Sequence, residues 1–386
     1  MKKLYLIAFL LAALALASWY FYPRQLPEYG PAYREYAYVA NGKSNTVSVI
    51  DLRTLQLAAT LKVGQNPTGI AANPKKNEIY VVNTGSNNVS IIDAERNQVV
   101  STIGVHGRPY FIDVSSDGKR GYVANSASNN VSVIDLEKRI VLANIRVGIA
   151  PGMAKVSLDG KTVVVTNRQE GSVSLLNAET LKLESTIPTC NQPTDIEILP
   201  DSSKAFIACS GSAEVASIDL KTEKLLALLD VGKTPVDLAL KPDGGEMIAC
   251  NFDSDSFSII ETTTNEVASS NLVGTHPARA LVSADNSRLY VSNFGSNTIA
   301  VYDIDYGQII ANIQVGSGPD ALALSQNQNY LLVVDSQSGD VTVVQKRKPK
   351  KFERSEYSLL TMIPVGAQPN DIVVKSFMLT GKSVRK

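Results

Sequence analysis

The chain has 386 residues, and its 37 lysines and arginines balance 37 aspartates and glutamates. A balanced charge gives no general attraction to nucleic acid, so nucleic acid is not expected as a partner. Hydrophobic residues make up 44% of the chain. That supports a large core, and no helical period is visible beyond the first two dozen residues.

Met1-Lys2-Lys3 precedes an uncharged run from Leu4 to Tyr22, just long enough to span a bilayer. Ala15-Leu16-Ala17 before Ser18 would suit signal-peptide cleavage. The cluster Trp19, Tyr20, Phe21 and Tyr22 is of the kind found at a membrane interface. Residues 1–22 are therefore expected to be a signal-anchor, with Lys2 and Lys3 inside and the rest on the extracytoplasmic face of the cytoplasmic membrane. Cleavage would instead release an exported, soluble protein. No cysteine lies near this segment, so a lipid anchor is not expected. Residues 23–36 (PRQLPEYGPAYREY) form a linker.

From there a repeat takes over. Stations at Asn41, Asn83, Asn125, Asn167, Cys209, Asn251, Asn293 and Asp335 each follow the last by 42 residues (83 − 41 = 42). A second marker, Pro67, Pro109, Pro151, Pro193, Pro235, Pro277 and Pro319, keeps the same interval, mostly within V-G-x-x-P. Pro369 in VGAQP comes eight residues late (369 − 319 = 50, against 42). Within one copy, YFIDVS, GYVAN, VSVID and IVLANIRVG alternate apolar and polar residues and are separated by turns such as Asp117-Gly118. That grammar is four antiparallel strands, and four strands repeated at this period make a β-propeller blade.

The strand count fixes closure. The first Ala37–Asn41 strand has no innermost strand before it, and NDIVVKS (Asn370 to Ser376) has no second strand after it. Joining them removes an open edge and gives eight blades. The expectation is an all-β, eight-bladed propeller of four-stranded blades over residues 37–376, closed by a C-terminal strand in the first blade, with a tail at 377–386.

The copies YVANGKSNTVSVID, YVVNTGSNNVSIID and YVANSASNNVSVID resemble the YVTN family of β-propeller repeats. The likeness covers nearly all of residues 37–375. Copies four, five and eight depart from it, at Leu175-Leu176-Asn177, Cys209 and Asp335. The resemblance implies an extracytoplasmic, periplasmic or surface-layer protein of no fixed activity. The haem-binding propeller of periplasmic nitrite reductases and the quinoprotein dehydrogenases are similar in architecture. Architecture alone carries no activity across.

The second-to-third-strand turns and the V-G-x-x-P loops open on one face, so the mouth of the central channel is the default binding site. Function is sought where the repeat breaks. The glycine of V-G-x-x-P becomes His106 in VHGRP and Cys190 in TCNQP, and His276 sits in VGTHP. Pro109 and Pro277 are four repeats apart, which sets the two histidines on opposite walls, with Arg108 and Arg279 beside them. Two residues after each proline stand Gly69, Phe111, Met153, Asp195, Asp237, Arg279, Ala321 and Asp371. Asp195, Asp237, Arg279 and Asp371 thus form a polar collar. No close-spaced ligand pattern supports a metal, C-x-x-C-H is absent, and no G-x-S-x-G, H-E-x-x-H or P-loop occurs.

Of the three cysteines, Cys209 and Cys250 fall on adjacent blades at neighbouring stations, which makes them the candidate pair if any forms; otherwise the thiols are buried and free. The late proline reflects an insertion in KRKPKKFERSEY that gathers Lys346, Arg347, Lys348, Lys350, Lys351 and Arg354, on the face opposite the mouth. Such a run suits anionic lipid, nucleic acid or an acidic partner, or is simply solvated. The function expected is a membrane-tethered, extracytoplasmic binding module with a protein partner, room for a small-molecule ligand and no cofactor. The rivals are a haem- or quinone-type redox protein, lyase or hydrolase using His106, His276 and the collar, and a structural envelope protein.

Overall fold

The computed structural model describes residues 30–347 and 356–379. The signal-anchor expectation and most of the 23–36 linker fall outside them. Among the described residues no helix is long and apolar enough to cross a membrane. Glu35–Phe377 form one compact unit, and it is an eight-bladed propeller of four-stranded antiparallel sheets. Blades 2 to 8 occupy residues 67–104, 109–146, 151–188, 193–230, 235–272, 277–314 and 319–364 in chain order. Blade 1 is composite. Its strands Tyr33–Asn41, Thr46–Asp51 and Gln56–Lys62 take Pro369–Met378 as their innermost neighbour.

Alternation decides what is buried. The second and third strands of each blade are apolar on both faces because a neighbouring blade covers each side. Thus Ile79, Val81, Val89 and Ile91 of blade 2 are fully buried, as are Val123 and Val133 of blade 3. Burial stabilises each such side chain by about 1.5–3 kcal/mol. Apolar clusters join consecutive blades, and one of them joins Leu332 and Val343 of blade 8 to Val39 and Ile50 of blade 1. The outer strands are half exposed. Each pairs with its third strand through a register shift at the same repeat position, as at Val133/Ile134 and Val301/Tyr302. Such bulges twist an open edge away from further pairing.

The Asn station is buried and holds its own hairpin. The Asn83 amide donates to Asn88 (2.8 Å) and Ser90 (2.9 Å), Asn167 to Ser172 and Ser174, and Asn251 to Ser256 and Ser258. The V-G glycine of the preceding loop lies flat on this amide: a β-carbon at Gly64 would sit 2.7 Å from the Asn83 side chain. Only a hydrogen atom fits there.

One repeat changes both halves of this contact. Cys190 replaces the glycine, Cys209 replaces the asparagine, and the two form a disulfide with Cα atoms 5.8 Å apart. This corrects the expected pairing, since Cys250 is free and buried. Adjacent stations on neighbouring blades do not meet. The residues that meet are a station and the loop lying over it.

Removing residues 367–386 deletes the closing strand and should abolish the cooperative melt followed by circular dichroism; an unchanged melting temperature would refute the closure. Non-reducing peptide mapping should join Cys190 to Cys209, with Cys250 unlabelled until unfolding. Replacing both paired cysteines by alanine should cost about 3 kcal/mol for a loop of this length, measured as a shift in denaturant midpoint.

Candidate functional site

The mouth is built by a repeated backbone staple. The turn residues Asn45, Asn87, Asn129, Asp255 and Asn297 each accept, through Oδ1, the N–H of the residue before the next proline. Those acceptor distances run from 2.8 to 2.9 Å. The residue before proline is left-handed, with φ of 52° at both Arg108 and His276. Arg108 and His276 therefore hold equivalent places in the repeat, whereas His106 holds the glycine place.

The two imidazoles lie in different local settings. His106 is exposed, and its Nδ1 lies 2.7 Å from the Asn130 side-chain amide. His276 stacks on Phe252 with centroids 4.5 Å apart and planes 7° apart, and Phe294 lies 6.3 Å from Phe252. Each histidine is thus tied to its own side of the ring. Arg108 is exposed and contributes its backbone to the loop, its carbonyl accepting from Ser126.

Below the mouth, inner-strand positions two and four after each proline face the channel, as strand alternation requires. Position two supplies Asp195, Asp237, Arg279 and Asp371; position four adds Asp113, Lys155 and Glu197. Asp320 and Lys375 complete the charged lining. Six carboxylates thus face three cations (Lys155, Arg279, Lys375).

Most of these charges serve the ring itself. Asp113, Asp195, Asp237 and Asp371 each accept, through Oδ2, a backbone N–H of the next blade's innermost strand: Val156, Leu238, Ala280 and Ile70, at 2.8 to 3.0 Å. Arg279 donates to Asp237 Oδ1 (2.9 Å) and lies 3.7 Å from Asp320. Lys155 joins Glu197 across a blade junction at 2.6 Å. Lys375 donates to the Asn73 carbonyl. The collar expected to receive a ligand is therefore spent largely on bonds between blades. Asp113, Lys155, Glu197, Asp320 and Lys375 escaped the sequence reading because only one position per repeat was followed.

Electrostatics follow from this crowding. Burial pushes Asp237 up to about 7 against the pull of Arg279, and pushes Asp371 up to about 6. Burial also raises Asp113 and Asp320. Arg279 loses by burial, but the carboxylates of Asp237, Asp320 and Asp195 outweigh that loss and hold it charged. At the eighth station, Asp335 accepts from the Thr342 hydroxyl at 2.6 Å, and burial beside Asp340 pushes it up to about 8. Among the described residues no group of three or more His, Cys, Asp or Glu side chains is arranged to hold a metal ion.

On the opposite face, Lys346 and Arg347 line a cleft of about 740 Å3 with Asp285, Arg288 and Glu356. Both signs of charge are present there. Lys348, Lys350, Lys351 and Arg354 lie outside the described residues.

A family model described as cytochrome D1 heme domain matches residues 73–205, and one described as lactonase, 7-bladed beta-propeller, matches residues 244–353. Each covers less than half of the chain. No curated protein sequence matches. Among solved structures, a chain of "Kuenenia stuttgartiensis Hydrazine Synthase" is 22% identical with a TM-score of 0.59, covering 72% of this chain and 95% of that one. "Dihydro-heme d1 dehydrogenase NirN in complex with DHE" is 14% identical with a TM-score of 0.73, covering 88% and 74%. A "functionally unknown protein from Desulfotomaculum acetoxidans DSM 771" is 13% identical with a TM-score of 0.60, covering 88% and 98%. At these identities the likeness establishes the propeller fold.

The raised carboxylates set a pH dependence. An acid whose folded pKa lies above its unfolded value binds its proton more tightly when folded. Asp237 and Asp371 should therefore stabilise the ring increasingly as pH falls through about 7 and 6. The gain ends near pH 4, where the unfolded chain also takes up protons. The melting temperature should rise from pH 8 to pH 5; a flat or falling profile would show that the channel solvates these groups.

Proposed function

We propose that this chain is a membrane-tethered, extracytoplasmic binding module that works through the mouth of its propeller. The observation that carries this reading is a division of labour. Channel charges are committed largely to bonds between blades, whereas the repeat-breaking side chains Tyr110 and Arg168 on the mouth are exposed. Among the described residues His106 pairs with Asn130 and His276 stacks on Phe252, which is not a nucleophile–base–orienter arrangement. The YVTN-type repeat and the uncharged run Leu4 to Tyr22 support placement outside the cytoplasmic membrane. The Cys190–Cys209 disulfide supports it too, because such bonds persist in oxidising compartments.

The haem reading is the second one, favoured by the match to the cytochrome D1 heme domain and by the likeness to NirN. A haem-type tetrapyrrole brings its own carboxylates and an iron that accepts imidazole. Here the channel already carries six carboxylates against three cations. His106 is engaged with Asn130, and the His276 ring is stacked on Phe252. The residues present fit such a group poorly.

Native mass spectrometry of the exported protein decides between the two. The binding-module reading expects the polypeptide mass alone and no histidine-ligated absorption band on adding haemin. A stoichiometric mass that is lost on denaturation, or a sharp ligated band, would favour the cofactor reading.

A further inference from the structure

Three departures from the repeat meet in one cleft on the mouth. The residue after each proline is Thr68, Tyr110, Gly152, Thr194, Val236, Ala278, Asp320 or Asn370, so blade 4 alone has no side chain there. The residue after each station is Gly42, Thr84, Ser126, Arg168, Ser210, Phe252, Phe294 or Ser336, so blade 4 alone has a cation there. These two changes fit each other. A β-carbon at Gly152 would sit 2.5 Å from Arg168 Cδ, so the missing side chain is what lets the arginine lie across the strand. The third departure is the Cys190–Cys209 disulfide, which fixes the loop carrying Asn191 and Gln192.

Together with Tyr110 and Gln169, these residues line a cleft of about 430 Å3, a size in the range of ligand pockets, about 300–1,000 Å3. Tyr110 is 47% exposed. Arg168 is exposed, and its guanidinium makes no ion pair or hydrogen bond among the described residues. The nearby Glu170 carboxylate is occupied by the Ile149 N–H at 2.8 Å. A free guanidinium, an uncovered phenol ring and the amides of Gln169 and Gln192 have no task in holding the ring closed, while Asn191 donates from Nδ2 to the Gly211 carbonyl at 3.4 Å and keeps its amide oxygen for a ligand.

We infer that this cleft binds an acidic saccharide, with Arg168 on its carboxylate, Tyr110 against a sugar ring and the amides of Gln169, Asn191 and Gln192 on its hydroxyls. Each part of the lining matches one part of such a ligand. A guanidinium fork pairs with a carboxylate through two parallel hydrogen bonds. Side-chain amides both donate and accept, as sugar hydroxyls do. The flat face of a tyrosine offers apolar contact while its hydroxyl stays wet. An apolar ligand would find little wall beyond the Tyr110 ring, Ala150 and Pro151. The inference rests on the reading of the mouth as a binding surface, and names its ligand class.

The test is isothermal titration of the full-length, non-reduced protein in detergent with α-1,4-digalacturonate and with its neutral counterpart, α-1,4-digalactose. The acidic sugar should bind at least ten-fold more tightly. Arg168→Ala should erase that preference, Arg168→Lys should keep part of it, and Tyr110→Ala should weaken both sugars. All three variants should melt like the parent, because both side chains are exposed. No binding of digalacturonate, equal affinity for the two sugars, or competition by equimolar inorganic phosphate would each overturn the inference. If digalacturonate binding survives Arg168→Ala but is lost in His276→Ala, the cleft is wrong while the mouth remains the binding surface.

Discussion

The ring depends on a buried amide with a glycine pressed against it. Asn41, Asn83, Asn125, Asn167, Asn251 and Asn293 are wholly buried. The cost of burying an amide is offset only when its donors are satisfied; an orphaned one costs about 1–3 kcal/mol. The hydroxyls and amides five residues on and, except at Asn293, seven residues on satisfy Nδ2, which locks the second strand to the third. At the ring's closure the Gly366 N–H reaches Asn41 Oδ1 at 3.2 Å. The same contact therefore ties the last loop of the chain to its first station, some 325 residues away in sequence.

The contact can change on one side or on both, and His106 takes the glycine's place over an unchanged Asn125. At Cys209 the amide is gone, and so is its glycine. The residue seven positions on is Ala216 instead of a hydroxyl, and a covalent bond does the holding. At Asp335 a carboxyl takes the amide's place above Gly316, and Thr342 donates to it where elsewhere the asparagine donates. Burial, with Asp340 as a second carboxyl beside it, pushes Asp335 up to about 8. A station can change its chemistry only if its partners change with it.

Much of the fold could be read from the sequence because the 42-residue interval is unbroken from Asn41 to Asp335. Proline and asparagine mark fixed places in every blade. The closing strand was legible as well, since Asn370–Ser376 lacked a partner of its own and the first blade lacked an innermost strand. The disulfide was hidden by a different kind of distance. Cys190 and Cys209 belong to two markers that lie over one another only in three dimensions, whereas Cys209 and Cys250 look matched along the chain. The double break at one repeat was the signal, and it becomes readable once a glycine is known to lie on each asparagine. Asp195, Asp237 and Asp371 were visible as a collar, but their bonds to Leu238, Ala280 and Ile70 were not. A backbone N–H in the next blade leaves no mark on the side-chain pattern.

Regularity explains where individuality can be placed. Channel residues touch two blades at once, so a change at Asp237 disturbs Arg279 and the Ala280 N–H together. Mouth residues just beyond a station sit on a hairpin already held by the buried amide, and the contacts some of them add across a junction, such as Thr84 with the Pro109 carbonyl and Phe252 with His276, come on top of those bonds. A side chain there can be exchanged for another without loosening a junction. Blade 4 carries an arginine at this place and blades 6 and 7 carry phenylalanines, yet the hairpins beneath all three keep their register. The repeat confines variation to the one surface where eight positions converge.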